Sequence, residues 1–375
     1  MKRIDLLYRN ISILLLITCS GLSCVHPNEG NPQPDPIKSD ERVVFFPTDG
    51  WQTDDGNRWN LRIHGWIFEP ENEDLLRGLV TDLAGSYFDD EVMRDPRRAR
   101  FERRFRYFIA DNEGGKKLSV RMAGRSFLMP ESDGDGRFQT TITLPDRVVQ
   151  THRRQDTLPF EARPVSGERE PPAGTVHLMK PDGITVISDI DDTIKISHSY
   201  DRTRLLRHTF LKPFAPVPGM ADRYRRWAER EQVDVVYLSN SPWQLYVPLQ
   251  RFMARAGFPA GPVDLLRVQL DDERLFNLFD SPTEKKLSRI QTYLRRYPDR
   301  TFVLIGDSGE ADPEMYGRVA RQHPDQVRAI FIRRVRGCNA VNRDRFQEAF
   351  HHVPEETWTV FDDPAEMTIQ RLRVK

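Results

Sequence analysis

Residues 184–193 read Ile184-Thr185-Val186-Ile187-Ser188-Asp189-Ile190-Asp191-Asp192-Thr193. A short β-branched run without polar alternation is the pattern of a strand buried on both faces of a parallel sheet. This one runs directly into three carboxylates within four residues. Acids gathered at the end of an apolar strand repel one another, and a bound cation is the ordinary remedy. Taken alone, the cluster also fits a calcium-binding turn or a solvated loop.

Downstream, three more runs of the same kind follow: Val233-Asp234-Val235-Val236-Tyr237-Leu238, Thr301-Phe302-Val303-Leu304-Ile305 and Arg328-Ala329-Ile330-Phe331-Ile332. Helix signals separate them. Ser241-Pro242 reads as a cap and first-turn proline with Gly257 as the stop; Ser281-Pro282-Thr283-Glu284 has capping-box spacing; Asp312-Pro313 repeats the cap and proline. Strands alternating with helices predict an α/β fold with an open, doubly wound parallel sheet, whose functional residues collect at the carboxyl ends of the strands. The second strand ends in Ser239-Asn240-Ser241, a hydroxyl and backbone donors suited to a phosphate group. The third ends in Gly306-Asp307-Ser308-Gly309-Glu310-Ala311-Asp312, and Glu284-Lys285-Lys286 opens the helix between them. Carboxylates, hydroxyl, lysine and further carboxylates therefore map to one sheet edge.

In this order the four elements resemble the haloacid dehalogenase superfamily: Asp-x-Asp-x-Thr, a strand-terminal Ser or Thr, a Lys, and Gly-Asp with a further acid. Ile187-Ser188-Asp189-Ile190-Asp191-Asp192-Thr193-Ile194, Pro218-Gly219-Met220, the stretch from Tyr237 through Leu245 and that from Leu304 through Glu314 resemble, more closely, the catalytic domain of the actin-patch-associated phosphatidate phosphatases. The resemblance implies that Asp189 attacks phosphorus and that Asp191 acts as general acid and then base. It implies that Asp189, Asp307 and the backbone carbonyl of Asp191 hold magnesium, and that Ser239, Asn240 and a lysine bind the phosphoryl oxygens. Lys286 fits better than Lys285, because Ile290 reproduces the family's Lys-x-x-x-Ile spacing. Asp312 is either a metal-site residue or a helix cap, and Asp192 is expected to support the loop. Only residues 194–218 follow the nucleophile strand before the next element, too few for a full cap domain, so an essentially capless, open site is expected.

Before this region the pattern changes. Residues 42–148 alternate with period two in short stretches, such as Leu61-Arg62-Ile63-His64-Gly65-Trp66-Ile67, and predict a smaller β-rich domain with one helix over residues 71–88. Asp133-Gly134-Asp135-Gly136 lacks the later acidic ligands of a calcium loop and is read as a turn. Residues 149–175, polar with several prolines, read as a linker, which starts the phosphatase domain at 176 and carries it to 375.

Lys2 and Arg3 precede a short apolar stretch, the form of an export signal. Gly21-Leu22-Ser23-Cys24 loosely resembles a bacterial lipobox, with Cys24 as the lipidated residue; a plain cleaved signal and a soluble periplasmic or secreted product is the alternative. Residues 1–24 are thus the expected leader and 25–41 a proline-containing tether. Cys338 is the one cysteine left in the body.

Lys+Arg and Asp+Glu balance at 56 each, so no global field recruits nucleic acid, and none is expected as a partner. With 30% charged and 38% hydrophobic residues the composition is that of a globular protein. Two local basic patches remain: the arginine run of residues 94–106, and residues 205–214, where Leu205, Leu206, Phe210, Leu211 and Phe214 lie beside Arg204, Arg207 and Lys212. The second reads as either a lipid-facing stripe or a core cover. The expected function is a magnesium-dependent phosphatidate phosphatase anchored at the cell envelope. A phosphatase of another envelope phosphomonoester, or an anchored binding protein with a vestigial site, stays open.

Overall fold

The computed structural model describes residues 37–71, 96–162, 170–267, 283–335, 337 and 343–369. The leader, Cys24, most of the tether, the helix expected over 71–88, the Ser281-Pro282 cap and Cys338 lie outside these residues, apart from Glu71 and the end of the tether.

Residues 42–178 lay down β1 (Arg42–Phe45), β2 (Thr48–Gln52), β3 (Arg58–Glu69), β4 (Asp111–Asn112), β5 (Ser119–Met122), β6 (Arg125–Leu128), β7 (Arg137–Pro145), β8 (Thr157–Ala162) and β9 (Ala173–Leu178). Helices α1 (Arg97–Phe105) and α2 (Asp146–His152) interrupt them. The strands form one sheet in the order β1-β3-β2-β9-β8-β5-β6, with β4 and β7 also paired to β3. Alternation along β3 buries Trp59, Leu61 and Ile63 on one face. The expected linker is corrected here: residues 149–175 hold the end of α2, all of β8 and the start of β9. Leu158, Phe160 and Ala162 point inward in strict alternation, a signal obscured by Pro159 and Glu161 between them. Residue 176, the expected start of the second domain, consequently lies inside β9.

The second sheet comprises β10 (Ile184–Ser188), β11 (Asp234–Pro242), β12 (Val263–Leu266), β13 (Thr301–Asp307), β14 (Val327–Arg333) and β15 (Trp358–Phe361). Its helices are α3 (Arg202–Phe210), α4 (Met220–Glu231), α5 (Tyr246–Ala256), α6 (Thr283–Arg296), α7 (Asp312–Gln322) and α8 (Arg343–Ala349). All pairings are parallel, in the order β12-β11-β10-β13-β14-β15. The chain therefore starts in the middle, builds outward to one side, then returns to build the other. The order reverses between β10 and β13, the point where ligands enter the crevice of such sheets. Both central strands are buried at every residue. The short edge strands β12 and β15 carry no comparable sequence signal.

Ser241 and Pro242 do not begin a helix. They finish β11, a 3₁₀ turn over Trp243–Leu245 follows, and α5 begins at Tyr246. Gly257 ends α5 in the left-handed conformation, φ 77°, as its position suggested.

The first sheet has a core cluster of its own, and another cluster joins it to the second sheet. Phe46, Trp66 and Phe68 of the first half pack in one cluster with Trp243 and Tyr246 of the second. Trp66 and Trp243 meet edge to face at 4.4 Å. Buried Asp49 pairs with Arg62, 2.8 Å away, and with Arg296, and accepts from Tyr297 at 3.0 Å. Through Trp66 on Trp243 the first sheet braces the end of β11, where Ser239 and Ser241 lie. No helix among the described residues is long and apolar enough to cross a membrane.

Candidate active site

Asp189 immediately follows β10, and Asp307 is the last residue of β13, so the two acids flank the reversal point of the sheet. A backbone bond from Asp189 N to Ile305 O, 2.9 Å, fixes their spacing. Asp312, at the first turn of α7, completes a cluster in which one carboxylate oxygen from each of the three lies within 4.8 Å of the others. All three side chains are buried.

Lys286 is buried in the same place, whereas Lys285 points to solvent. Its Nζ donates to Asp189 Oδ1 at 2.8 Å and to Asp312 Oδ1 at 2.6 Å. The other oxygen of Asp312 accepts from Asp307 N at 3.2 Å. Asp312 is therefore a ligand of the lysine and the strand end, and it makes no side-chain cap on its helix. Gly306 makes this possible: a Cβ there would stand 2.3 Å from Asp312 Oδ2.

Two carboxylate oxygens in this cluster, Asp189 Oδ2 and Asp307 Oδ2, are buried without a hydrogen-bond partner. Burial first, then Asp312 and Asp191, push the Asp189 carboxyl up to about 7 against the pull of Lys286. Burial, Glu310, Asp312 and Asp189 raise Asp307 well above the carboxylate range. Orphaned buried oxygens of this kind are costly. Hard oxygen donors with no His or Cys beside them suit magnesium, so the residues present fit that ion.

Asp191 sits apart from this group. Its Oδ1 lies 2.6 Å from Lys195 Nζ and accepts from Ser197 Oγ at 2.7 Å; its Oδ2 accepts from Ser241 Oγ at 2.6 Å and Ser239 Oγ at 3.3 Å. Burial alone would raise its pKa, but Lys195 and the hydroxyls outweigh burial and hold it below the usual value. Ser239 and Asn240 line the cleft, and Asn240 Oδ1 accepts from Arg289 at 2.9 Å. Asp192 does support the loop: it accepts from the backbone N–H groups of Ser197, His198 and Ser199.

Sequence reasoning did not single out Lys195, Ser197, Ser241 or Glu310 as site residues. A signal existed for Lys195, since a lone cation between Ile194 and Ile196 needs an acidic partner once buried. Glu310 lines the cleft, its carboxyl pushed up to about 8 by burial and by Asp189. The cleft has a volume of about 310 Å³, and Ser199, Tyr200, Arg202 and Leu205 line it together with Asp312 and Met315. Between β10 and α4 the one helix is α3, nine residues long, so no cap domain is inserted there.

The apolar stripe of residues 205–214 is core. Leu205, Phe210 and Leu211 are buried, and Leu206 and Phe214 pack against the same cluster. Phe210 packs among Phe101, Phe105 and Phe108 of the first half, edge to face with the last two.

Residues 184–334 match the family model described as Phosphatidate phosphatase APP1, catalytic domain. The match opens at the first residue of β10 and closes one residue after β14, so it encloses every candidate residue named above. Phosphatidate phosphatase APP1 of Saccharomyces cerevisiae is 35% identical over 175 residues, which take in 45% of this chain and 29% of the yeast protein. An uncharacterized protein of Schizosaccharomyces pombe is 33% identical over 165 residues, 43% of this chain and 26% of that protein. The chain thus covers less than a third of the length of the curated relatives it matches. A beta-glucuronidase of Parabacteroides merdae superposes with a TM-score of 0.27 at 10% identity, covering 80% of this chain and 34% of that one, a likeness too weak to bear on fold or function. The family match and the yeast relative support a phosphatase enzyme.

Proposed function

We propose that the chain is a magnesium-dependent phosphatidate phosphatase of haloacid dehalogenase type, releasing diacylglycerol and phosphate through an aspartyl-phosphate at Asp189. The observation that carries this reading is the pair of unpartnered oxygens, Asp189 Oδ2 and Asp307 Oδ2, on either side of the sheet's reversal point, inside the matched segment.

Magnesium, held by Asp189, Asp307 and the Asp191 carbonyl, would neutralise the phosphoryl oxygens and orient in-line attack. Lys286, anchored through Asp312, engages Asp189 Oδ1 and so fixes the orientation of the carboxylate that attacks phosphorus. As the new O–P bond forms, the ester P–O bond breaks, and the leaving alcohol takes a proton carried by Asp191. Asp191, back in the ionised form that Lys195 and Ser241 favour, then accepts a proton from the water that attacks the aspartyl-phosphate. Phosphate leaves and Asp189 is restored. Ser239 and Asn240 meet the remaining phosphoryl oxygens.

The open cleft suits an ester whose alcohol is bulky, which favours a lipid over a small metabolite. Export on the leader of residues 1–24 and lipid attachment at Cys24 would hold the enzyme beside its substrate. A panel of phosphomonoesters, each with magnesium and with a chelator, tests the reading. Phosphate release from phosphatidate that stops on chelation is expected. Release from soluble esters alone would leave a phosphatase and remove the lipid assignment.

A further inference from the structure

Residues 97–106 carry six arginines, and the structure divides their work. Arg98 pairs with Glu102 on its own helix at 2.9 Å. Arg100 Nη1 donates to Leu211 O at 2.6 Å, and Arg104 Nη1 donates to the carbonyls of His208, Thr209 and Lys212. Those carbonyls belong to the last turn and the exit of α3, which has no helical partners for them, so α1 supplies the cap of α3. The phenylalanines of both helices close behind these bonds.

At the edge of this joint lies a cleft of about 450 Å³. Arg97, Arg204, Arg207 and Lys212 line it, with His198 and His208. Among the described residues no carboxylate lines it; Asp201 meets Arg204 from beside the cleft at 3.4 Å. Lys212 Nζ stands 3.1 Å from His208 Nε2, and the His208 ring lies 4.5 Å from that of His198. Burial, Lys212 and His198 press His208 down to about 4, so it faces the cleft as a neutral ring. Arg204 has Asp201 beside it and Arg207 has a partner of its own, so the pull on a multiply charged anion falls mainly to Arg97 and Lys212. The bonds from Arg100 and Arg104 hold the walls in place before any ligand arrives.

We propose that this cleft binds a phosphate-type anion, either free phosphate or the headgroup of an anionic lipid, at a site separate from the catalytic cleft. The two share a wall. Residues 198–205 present Ser199, Tyr200, Arg202 and Leu205 to the catalytic side and His198 and Arg204 to the basic side. An anion held here therefore orders one side of the catalytic entrance and, when it comes from a bilayer, turns that entrance toward the lipid. Binding needs none of Asp189, Asp307 or Lys286, so it stands or falls apart from the hydrolytic reading.

The test uses the full chain carrying Asp189→Asn, so that no lipid is consumed. Inorganic phosphate is titrated while the imidazole signals of His198 and His208 are followed by NMR, each assigned from its own Gln variant. Co-sedimentation is measured with phosphatidylcholine vesicles with and without phosphatidate. Both rings should shift with phosphate, and Arg97→Gln with Lys212→Gln should weaken that binding by about tenfold or more. Vesicle capture that needs phosphatidate and is lost in the double variant identifies a headgroup as the ligand; ring shifts without capture identify the free anion. Rings that ignore phosphate, or affinity unchanged in the double variant, overturn the site. If the double variant does not fold by circular dichroism, Arg204→Gln, at an exposed position, replaces it, and the ring shifts of the parent chain still decide.

Discussion

Asp189 Oδ2 and Asp307 Oδ2 are buried without a hydrogen-bond donor, and burial with neighbouring acids raises the pKa of each, which is a cost that a bound cation would relieve. Replacing Asp307 by Asn removes one of the repelling acids. Without magnesium the Asp307→Asn chain should therefore melt at the same temperature as the parent or higher. With magnesium at about a hundred times its dissociation constant the parent should gain roughly 2.7 kcal/mol, and the variant should gain little. Thermal unfolding with and without the ion reads both effects. A parent whose Tm ignores magnesium would remove the metal from the account. At this scale the sequence named the acids and the lysine but not what surrounds Asp191. The strand-end positions of Asp189 and Asp307 are properties of the local pattern. Contacts of Asp191 with Ser241, fifty residues away, are set by tertiary packing and leave no trace in spacing.

At the scale of elements, Gly306 is the narrow point. It lies in the penultimate position of β13, and α7 approaches it so closely that Asp312 reaches across to Asp307 N. Gly306→Ala should push Asp312 away and free one side of Lys286. Activity should fall about tenfold to a hundredfold while most of the stability is kept, because the displaced group is a single carboxylate. Steady-state kinetics beside a melting curve would check this; a large loss of stability with normal kcat would mean that β13 itself yields instead. Four of the six parallel strands were legible because they are buried on both faces and read as unbroken apolar runs. β12 and β15, four residues each at or near an edge, were not, and β8 was hidden by Pro159 and Glu161. The turn at Ser241 misread as a helix start because cap residues describe a local option. Here β11 instead runs on through Ser241 and Pro242, and Trp243 packs on Trp66 just beyond its end.

Over the whole molecule, Asp49 joins the two sheets. Burial alone would raise its pKa, but Arg62, Arg296 and Tyr297 outweigh burial and hold it below the normal carboxylate value. A depressed carboxylate contributes stability that is present above the unfolded value, about 3.9, and is lost as pH falls through the folded one. The parent should thus lose Tm steeply below about pH 4. Asp49→Asn should start lower at neutral pH, by about 3–5 kcal/mol, and lose less on acidification. Parallel pH curves for the two chains would contradict the joint. The first half keeps a core of its own, from Val43 to Leu178, and a second cluster, in which Phe46 and Trp66 lie with Trp243, joins it to the second half. If Cys24 is the anchor, Cys24→Ser should move the protein from the membrane to the soluble fraction, and unchanged membrane association would shift attention to the basic cleft.

The most direct measurement is phosphate release from phosphatidate vesicles with magnesium by the purified full chain and by its Asp189→Asn variant, both checked for folding by circular dichroism. The parent should release phosphate and diacylglycerol in equal amounts, and the variant should be slower by about three orders of magnitude or more. Release by the variant at the parent's rate would contradict Asp189 as the nucleophile, and no release by the parent would contradict phosphatidate as its substrate.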